Sequence, residues 1–322
     1  MRKSLIHTAL AGFLFLAFAE FAAGVATPSE VNAAFGVEIL TDENLWDDDV
    51  SALAERLEWP LESQTSTDAS YRKYPDSSDR LIGCRSYSNA LYGVVGRVSG
   101  ISLLFANKGD AVDALKEDAN AREAREVKDQ IRDYKKGIQD DKKNLTLALT
   151  KLFGEPVPDR FGQGRQTTEM VKRWDWNGHS FLLAAPRDEY VAIRIMPIES
   201  AKAGGRTRTS DAEMKSRVES RVDKRPNGDV ILKEIPMVNQ GPKGYCVPAT
   251  WERVMRYMGV PADMYVLAMA GESGAGGGTS LEAIREGARQ SIINSGRRVV
   301  QEQVKFDALS IARYIDKGLP VI

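Results

Sequence analysis

Lys172-Arg173-Trp174-Asp175-Trp176-Asn177-Gly178-His179-Ser180-Phe181-Leu182-Leu183 is the stretch that decides the fold class. Asn-Gly takes the left-handed backbone that a two-residue hairpin loop requires, and the twist of such a loop matches the strands on either side. The flanks are rich in aromatic and aliphatic residues, so the stretch reads as two antiparallel strands. Tyr190-Val191-Ala192-Ile193-Arg194-Ile195 alternates and supplies another. Upstream, Leu91 to Phe105 is interrupted by Gly93, Gly96 and Gly100 and reads as a glycine-weakened hairpin. Between these pieces residues 109–152 read as helical. Ala124, Val127, Ile131, Tyr134, Ile138, Leu145 and Leu152 form a narrow apolar seam on a charged surface, and Gly137 is expected to break the stretch into two helices. Residues 37–200 are therefore expected to form an α+β domain, an antiparallel sheet with packed helices. Trp174 and Trp176 share one strand face, as core or as a groove wall. His179, just past the turn, is expected at the surface or an edge.

The length of 322 residues allows two domains, each with its own core. With 43% hydrophobic and 28% charged residues the composition is that of a soluble globular protein, and a net charge of -1 gives no reason to expect nucleic acid as a partner. Residues 1–26 read as a secretory signal: Arg2 and Lys3, an apolar run from Leu10 to Phe18, then small residues at Gly24-Val25-Ala26. No second apolar run of that length follows. The mature protein is expected to be secreted or periplasmic, with no stable membrane span. Cys84 and Cys246 are too few for a disulfide framework, although one bridge between them is conceivable. No His/Cys cluster supports a metal or other cofactor. Residues 201–229, rich in Lys and Arg and poor in apolar side chains, read as a solvated basic linker carrying a short helix.

Residues 230–322 are organised around Asn239-Gln240-Gly241-Pro242-Lys243-Gly244-Tyr245-Cys246-Val247-Pro248-Ala249-Thr250-Trp251. Val247, Trp251, Val254, Met255 and Met258 recur at helical spacing, Gly259 ends the run, and Pro248 fits the first turn, where its missing N–H costs little. Cys246 thus lies at the mouth of a helix, whose unpaired N–H groups and partial positive charge favour an anion such as a thiolate. Gln240 lies six residues upstream, across a loop that Gly241 and Gly244 allow to turn tightly. Its side-chain amide and the Cys246 N–H could form an oxyanion hole. The plainer reading makes Cys246 a small apolar residue and Gln240 an ordinary loop amide.

Gln240-Gly241-x-x-Gly244-x-Cys246 resembles the papain-like cysteine peptidases. The run from Ile235 to Thr250, followed by Gly276-Gly277-Gly278-Thr279-Ser280, resembles the branch of double-glycine leader (bacteriocin-processing) peptidases and their stand-alone relatives. The likeness covers residue 230 onward. It implies a peptide or protein substrate, Cys246 as nucleophile, Gln240 in the oxyanion hole, and a histidine on a later strand. The sequence holds only His7 and His179, both before Cys246. Leu319-Pro320-Val321-Ile322 reads as the start of a buried strand after a helix through Leu309, Ala312 and Ile315, so the chain is expected to stop where the sheet half of such a domain begins. The expectation is a secreted cysteine peptidase, inactive as given. The alternatives are a non-catalytic binding or scaffold protein with a dead papain-like domain, and a cell-wall peptide amidase.

Two further expectations concern local structure. Asp263 caps a short helix through Met264, Leu267 and Met269 that Gly271 ends, and Thr279 with Glu282 forms a capping box for the helix of Leu281 and Ile284. The glycine run 274–278 lacks the lysine of a phosphate loop, because Gly278 occupies its place.

Overall fold

A computed structural model describes residues 26–42, 44–112, 120–242, 244–273, 278–301 and 307–322. The expected signal segment lies outside them up to residue 25, as do residues 274–277 of the glycine run. In chain order the protein forms α1 (Pro28–Phe35), α2 (Val50–Arg56), β1 (Leu61–Gln64), β2 (Asp68–Lys73), the short pair β3 (Arg80–Leu81) and β4 (Cys84–Arg85), β5 (Ser88–Val94) and β6 (Arg97–Asn107). It continues with α3 (Lys108–Ala111), α4 (Ala121–Phe153), β7 (Val157–Phe161), β8 (Glu169–Trp176), β9 (His179–Ala184), β10 (Tyr190–Pro197), α5 (Ile198–Lys202) and α6 (Asp211–Ser220). The last elements are β11 (Val222–Lys224), β12 (Val230–Leu232), α7 (Cys246–Tyr257), α8 (Met264–Ala270), α9 (Leu281–Asn294) and α10 (Ala308–Ile315). The fold is α+β.

Its centre is an eight-stranded antiparallel sheet in the order β1-β2-β5-β6-β10-β9-β8-β7. Both expected hairpins form. β8 and β9 meet at Asn177 (φ 42°) and Gly178 (φ 80°), the left-handed pair that this turn demands. The second hairpin pairs β5 with β6 around Val95 and Gly96.

The period-two alternation of β10 sends its side chains to two different cores. Val191, Ile193 and Ile195 join Phe35, Leu53, Ile138, Leu145, Trp174 and Phe181 on the face covered by α1, α2 and α4. Tyr190 and Ala192 join Leu104 on the other face, against Val238, Tyr245, Ala249, Met264 and Tyr265. Every residue of β9 is buried, because helices cover both faces. Tyr245 and Ala249, on either side of Cys246, therefore sit directly on the sheet.

Several expectations are corrected. α4 is one helix of 33 residues that passes through Gly137 unbroken. A single interior glycine costs about 1 kcal/mol relative to alanine, and the seating of Ile138, Leu145 and Leu149 on the sheet outweighs that. His179 is fully buried, beside Trp46 and Trp176, because it is the first residue of a strand whose faces are both covered. The 201–229 segment carries the expected short helix as α6, and β11, which pairs with β12 just beyond it, but it is not a solvated linker, because Met214 and Val218 bury themselves against Tyr257. Arg221 and Arg297 also tie it down, donating to the carbonyls of Tyr257 (3.0 Å) and Thr209 (2.9 Å). Ser280, one residue after Thr279, is the N-cap of α9 and accepts from the Ala283 N–H; the Thr279 hydroxyl instead bonds that of Ser273. Leu319–Ile322 forms no strand: Leu319 N–H turns back to the Tyr314 carbonyl at 3.0 Å, and Val321 and Ile322 are exposed.

Candidate functional site

Cys246 is the first residue of α7 and is exposed. It is reached through a loop in which Gly241 (φ 77°) and Gly244 (φ 25°) take left-handed backbone, the role expected of both. α7 buries Ala249, Trp251 and Met255, and Trp251 and Met255 pack with Leu267 of α8 and Ile284, Ala288 and Ile292 of α9. The cysteine therefore projects from a helix fixed on two sides.

The loop start is fastened to the sheet edge. Asn239 N–H donates to Glu62 Oε1 (2.8 Å), Met237 N–H to Ser63 Oγ (2.9 Å), and the Tyr74 hydroxyl to the Asn239 carbonyl (2.7 Å). Tyr245, immediately before Cys246, is buried and its hydroxyl accepts from Asn107 Nδ2 at 2.7 Å. Gln240 is half-buried at the start of the loop whose end carries Cys246.

The two cysteines are both free. Cys84 is buried, and its thiol is pushed up to about 12, first by burial and then by the neighbouring Asp141 carboxylate. Both burial and the raised pKa disfavour the reactive thiolate at Cys84.

No imidazole is brought to Cys246 among the described residues. His179 lies in the core on the opposite sheet face, with Nδ1 bonded to the Trp176 carbonyl at 3.1 Å. Burial holds its pKa below the usual histidine value, which disfavours the charged ring.

Beneath the loop lies a buried charge network that the sequence reading did not single out. Arg72 donates to Glu62 (2.6 Å), Ser88 (3.3 Å) and the Tyr92 hydroxyl (3.2 Å). Glu62 thus holds both Arg72 and the Asn239 N–H. Arg194 donates to Glu169 at 2.6 Å, and the Tyr190 hydroxyl donates to the same carboxylate. Burial raises the Glu169 pKa, while Arg194 and Tyr190 pull it back. On α7, Glu252 is fully enclosed; it accepts from the Met264 N–H at 2.8 Å and faces Arg256 Nη1 at 3.5 Å. Burial pushes its carboxyl up to about 7 against the pull of Arg72 and Arg256. The sequence did carry a signal: Arg194 interrupts an otherwise apolar β10, where only a partnered charge is tolerated.

No protein-family model matches the chain, and neither a curated protein nor a solved structure matches it. Among the described residues no helix is long and apolar enough to cross a membrane.

Proposed function

We propose that Cys246 is the nucleophile of a cysteine-peptidase site acting on a secreted or periplasmic peptide substrate. The reading is supported above all by an exposed cysteine at the first position of a firmly packed helix, behind a glycine loop that begins with Gln240. In this reading the Cys246 thiolate attacks a peptide carbonyl, and the Cys246 N–H and the Gln240 amide hold the oxygen as it becomes negative. The C–N bond then breaks, the amine leaves with a proton, and water hydrolyses the thioester. The proton transfers call for an imidazole. His179 cannot supply one from the far side of the sheet, so the residues described here should bind and add to a carbonyl without turning it over.

That limit dictates the test. A peptide aldehyde forms a hemithioacetal with a cysteine and develops the same oxyanion without a leaving group. The aldehyde is expected to protect Cys246 from iodoacetamide, read by mass spectrometry, while Cys84 stays unlabelled until the protein unfolds. Gln240→Ala should weaken protection by about 100-fold, the usual size of one oxyanion donor, with the iodoacetamide rate itself unchanged. If the aldehyde gives no protection, or protects wild type and Gln240→Ala alike, the peptidase reading fails. A binding module with a dead catalytic domain, favoured by the core position of His179, then takes its place.

A further inference from the structure

The Gln240 side-chain amide has no hydrogen-bond partner among the described residues. Its aim is therefore set by its backbone, and that backbone is held on both sides. The peptide group before it presents the Asn239 carbonyl, which accepts from the Tyr74 hydroxyl at 2.7 Å. The peptide group after it presents the Gly241 N–H, which donates to Asn239 Oδ1 at 3.1 Å. Peptide groups are planar and two of them meet at the Gln240 Cα, so fixing both fixes the direction in which its side chain leaves. Asn239 is itself tied back through its N–H to Glu62 Oε1 at 2.8 Å.

Tyr74 acts on this loop twice. Besides its hydroxyl bond, its ring lies against Gly241: a Cβ added there would meet Cε1 and Cζ at 2.8 Å and the hydroxyl oxygen at 3.0 Å. Gly241 also has φ 77°, so its backbone and its neighbour both demand glycine. Tyr74 directly follows β2 and packs edge-on against Tyr87, with ring centroids 6.1 Å apart. A residue of the sheet domain, 165 positions before Asn239, thus touches the loop on either side of Gln240. The Cys246 end has a different anchor, the Tyr245 hydroxyl, which accepts from Asn107 and lies where a Cβ on Gly109 would stand.

We infer that Tyr74 is a positioning residue for the oxyanion site, holding the Gln240 backbone so that its amide points at the carbonyl that Cys246 attacks. The inference rests on the cysteine-peptidase reading and extends it, because it makes the α+β domain part of the site.

The test is a double-mutant cycle on the full chain, read as the peptide-aldehyde concentration that half-protects Cys246 from iodoacetamide. Tyr74→Phe keeps the ring against Gly241 and removes only the hydroxyl. It should raise that concentration about fivefold to tenfold, the equivalent of one neutral hydrogen bond, with the iodoacetamide rate itself and the circular dichroism unchanged. In the Gln240→Ala background the same substitution should do nothing, because no amide is left to aim; a merely structural tyrosine would lower protection in both backgrounds. Tyr265→Phe is the control: the Tyr265 hydroxyl lies 3.5 Å from that of Tyr74, and its removal should leave protection as in wild type. A readout that needs no aldehyde is amide exchange, which should quicken at Gly241 in Tyr74→Phe and stay native along α7. Undiminished protection in Tyr74→Phe, an equal loss with and without Gln240, an equal loss in Tyr265→Phe, or unchanged exchange at Gly241 overturns this inference and leaves the peptidase reading standing. Absence of protection in wild type removes the peptidase reading, and this inference with it.

Discussion

The two faces of the central sheet are built from the same strands but held by different physics. Toward α1, α2 and α4 the contacts are almost wholly apolar: Phe181 stacks on Phe153 at 4.5 Å between Phe35 and the Trp176 edge of the core. Toward α7 and α8 the sheet offers Arg72, Arg194 and Glu169, each buried and paired, around a smaller apolar cluster. Apolar burial is non-directional and contributes stability roughly in proportion to area, whereas a buried ion pair recovers little more than its desolvation cost. The first face thus accounts for stability. The second fixes where the cysteine loop sits, since Glu62 accepts directly from the Asn239 N–H, while Glu252 of α7 accepts from the Met264 N–H and so fixes α7 against α8.

The contrast is broken most directly by Phe181→Ala. Phe181 is 1% exposed and stacked, so its truncation should cost about 3–5 kcal/mol, read from the urea midpoint. A loss below about 1 kcal/mol would mean that the first face is not the main source of stability.

Glu252→Gln sharpens the contrast from the other side. The carboxyl is raised to about 7 in the folded protein, against 4.5 for an ordinary glutamate. Its favourable contribution is therefore fully present below the ordinary carboxylate range and is lost as pH rises towards 7. Stability should fall by roughly 2–4 kcal/mol between about pH 4.5 and 7 from this group alone, since each pKa unit is worth about 1.4 kcal/mol. Gln keeps the acceptor for Met264 N–H and cannot ionise, so the variant should flatten that slope. An unchanged slope would place the pH response elsewhere.

The same contrast explains what could be read from the sequence. The antiparallel sheet was legible because Asn177-Gly178 and the alternation of Tyr190 to Ile195 are local signals, and so was the helix beginning at Cys246. His179 and Gly137 misled because tertiary packing decides both: a turn-adjacent histidine is exposed only if its strand lies at an edge, and a glycine breaks a helix only if nothing else holds it. Tyr74 was illegible for a related reason. It looks like an ordinary residue after a strand until the Gln240 loop is laid across it. The buried ion pairs of the second face join residues 10 to 25 positions apart in sequence, so their only local trace was the lone Arg194 in an apolar strand.

The smallest expected effect tests how α4 belongs to the first face. Gly137 lies inside the helix, is exposed, has no left-handed φ, and an added Cβ there would meet nothing within 4 Å. Gly137→Ala should therefore stabilise by about 0.5–1 kcal/mol through helix propensity and reduced freedom of the unfolded chain. Only the C-terminal part of α4 carries the buried Ile138, Leu145 and Leu149, while the turns from Ala121 to Glu126 are exposed. If α4 melts together with the sheet, the gain should appear as a higher global urea midpoint. If the midpoint stays fixed while amide exchange slows only between residues 121 and 137, the first half of α4 unfolds on its own, and the apolar face ends at Ile138.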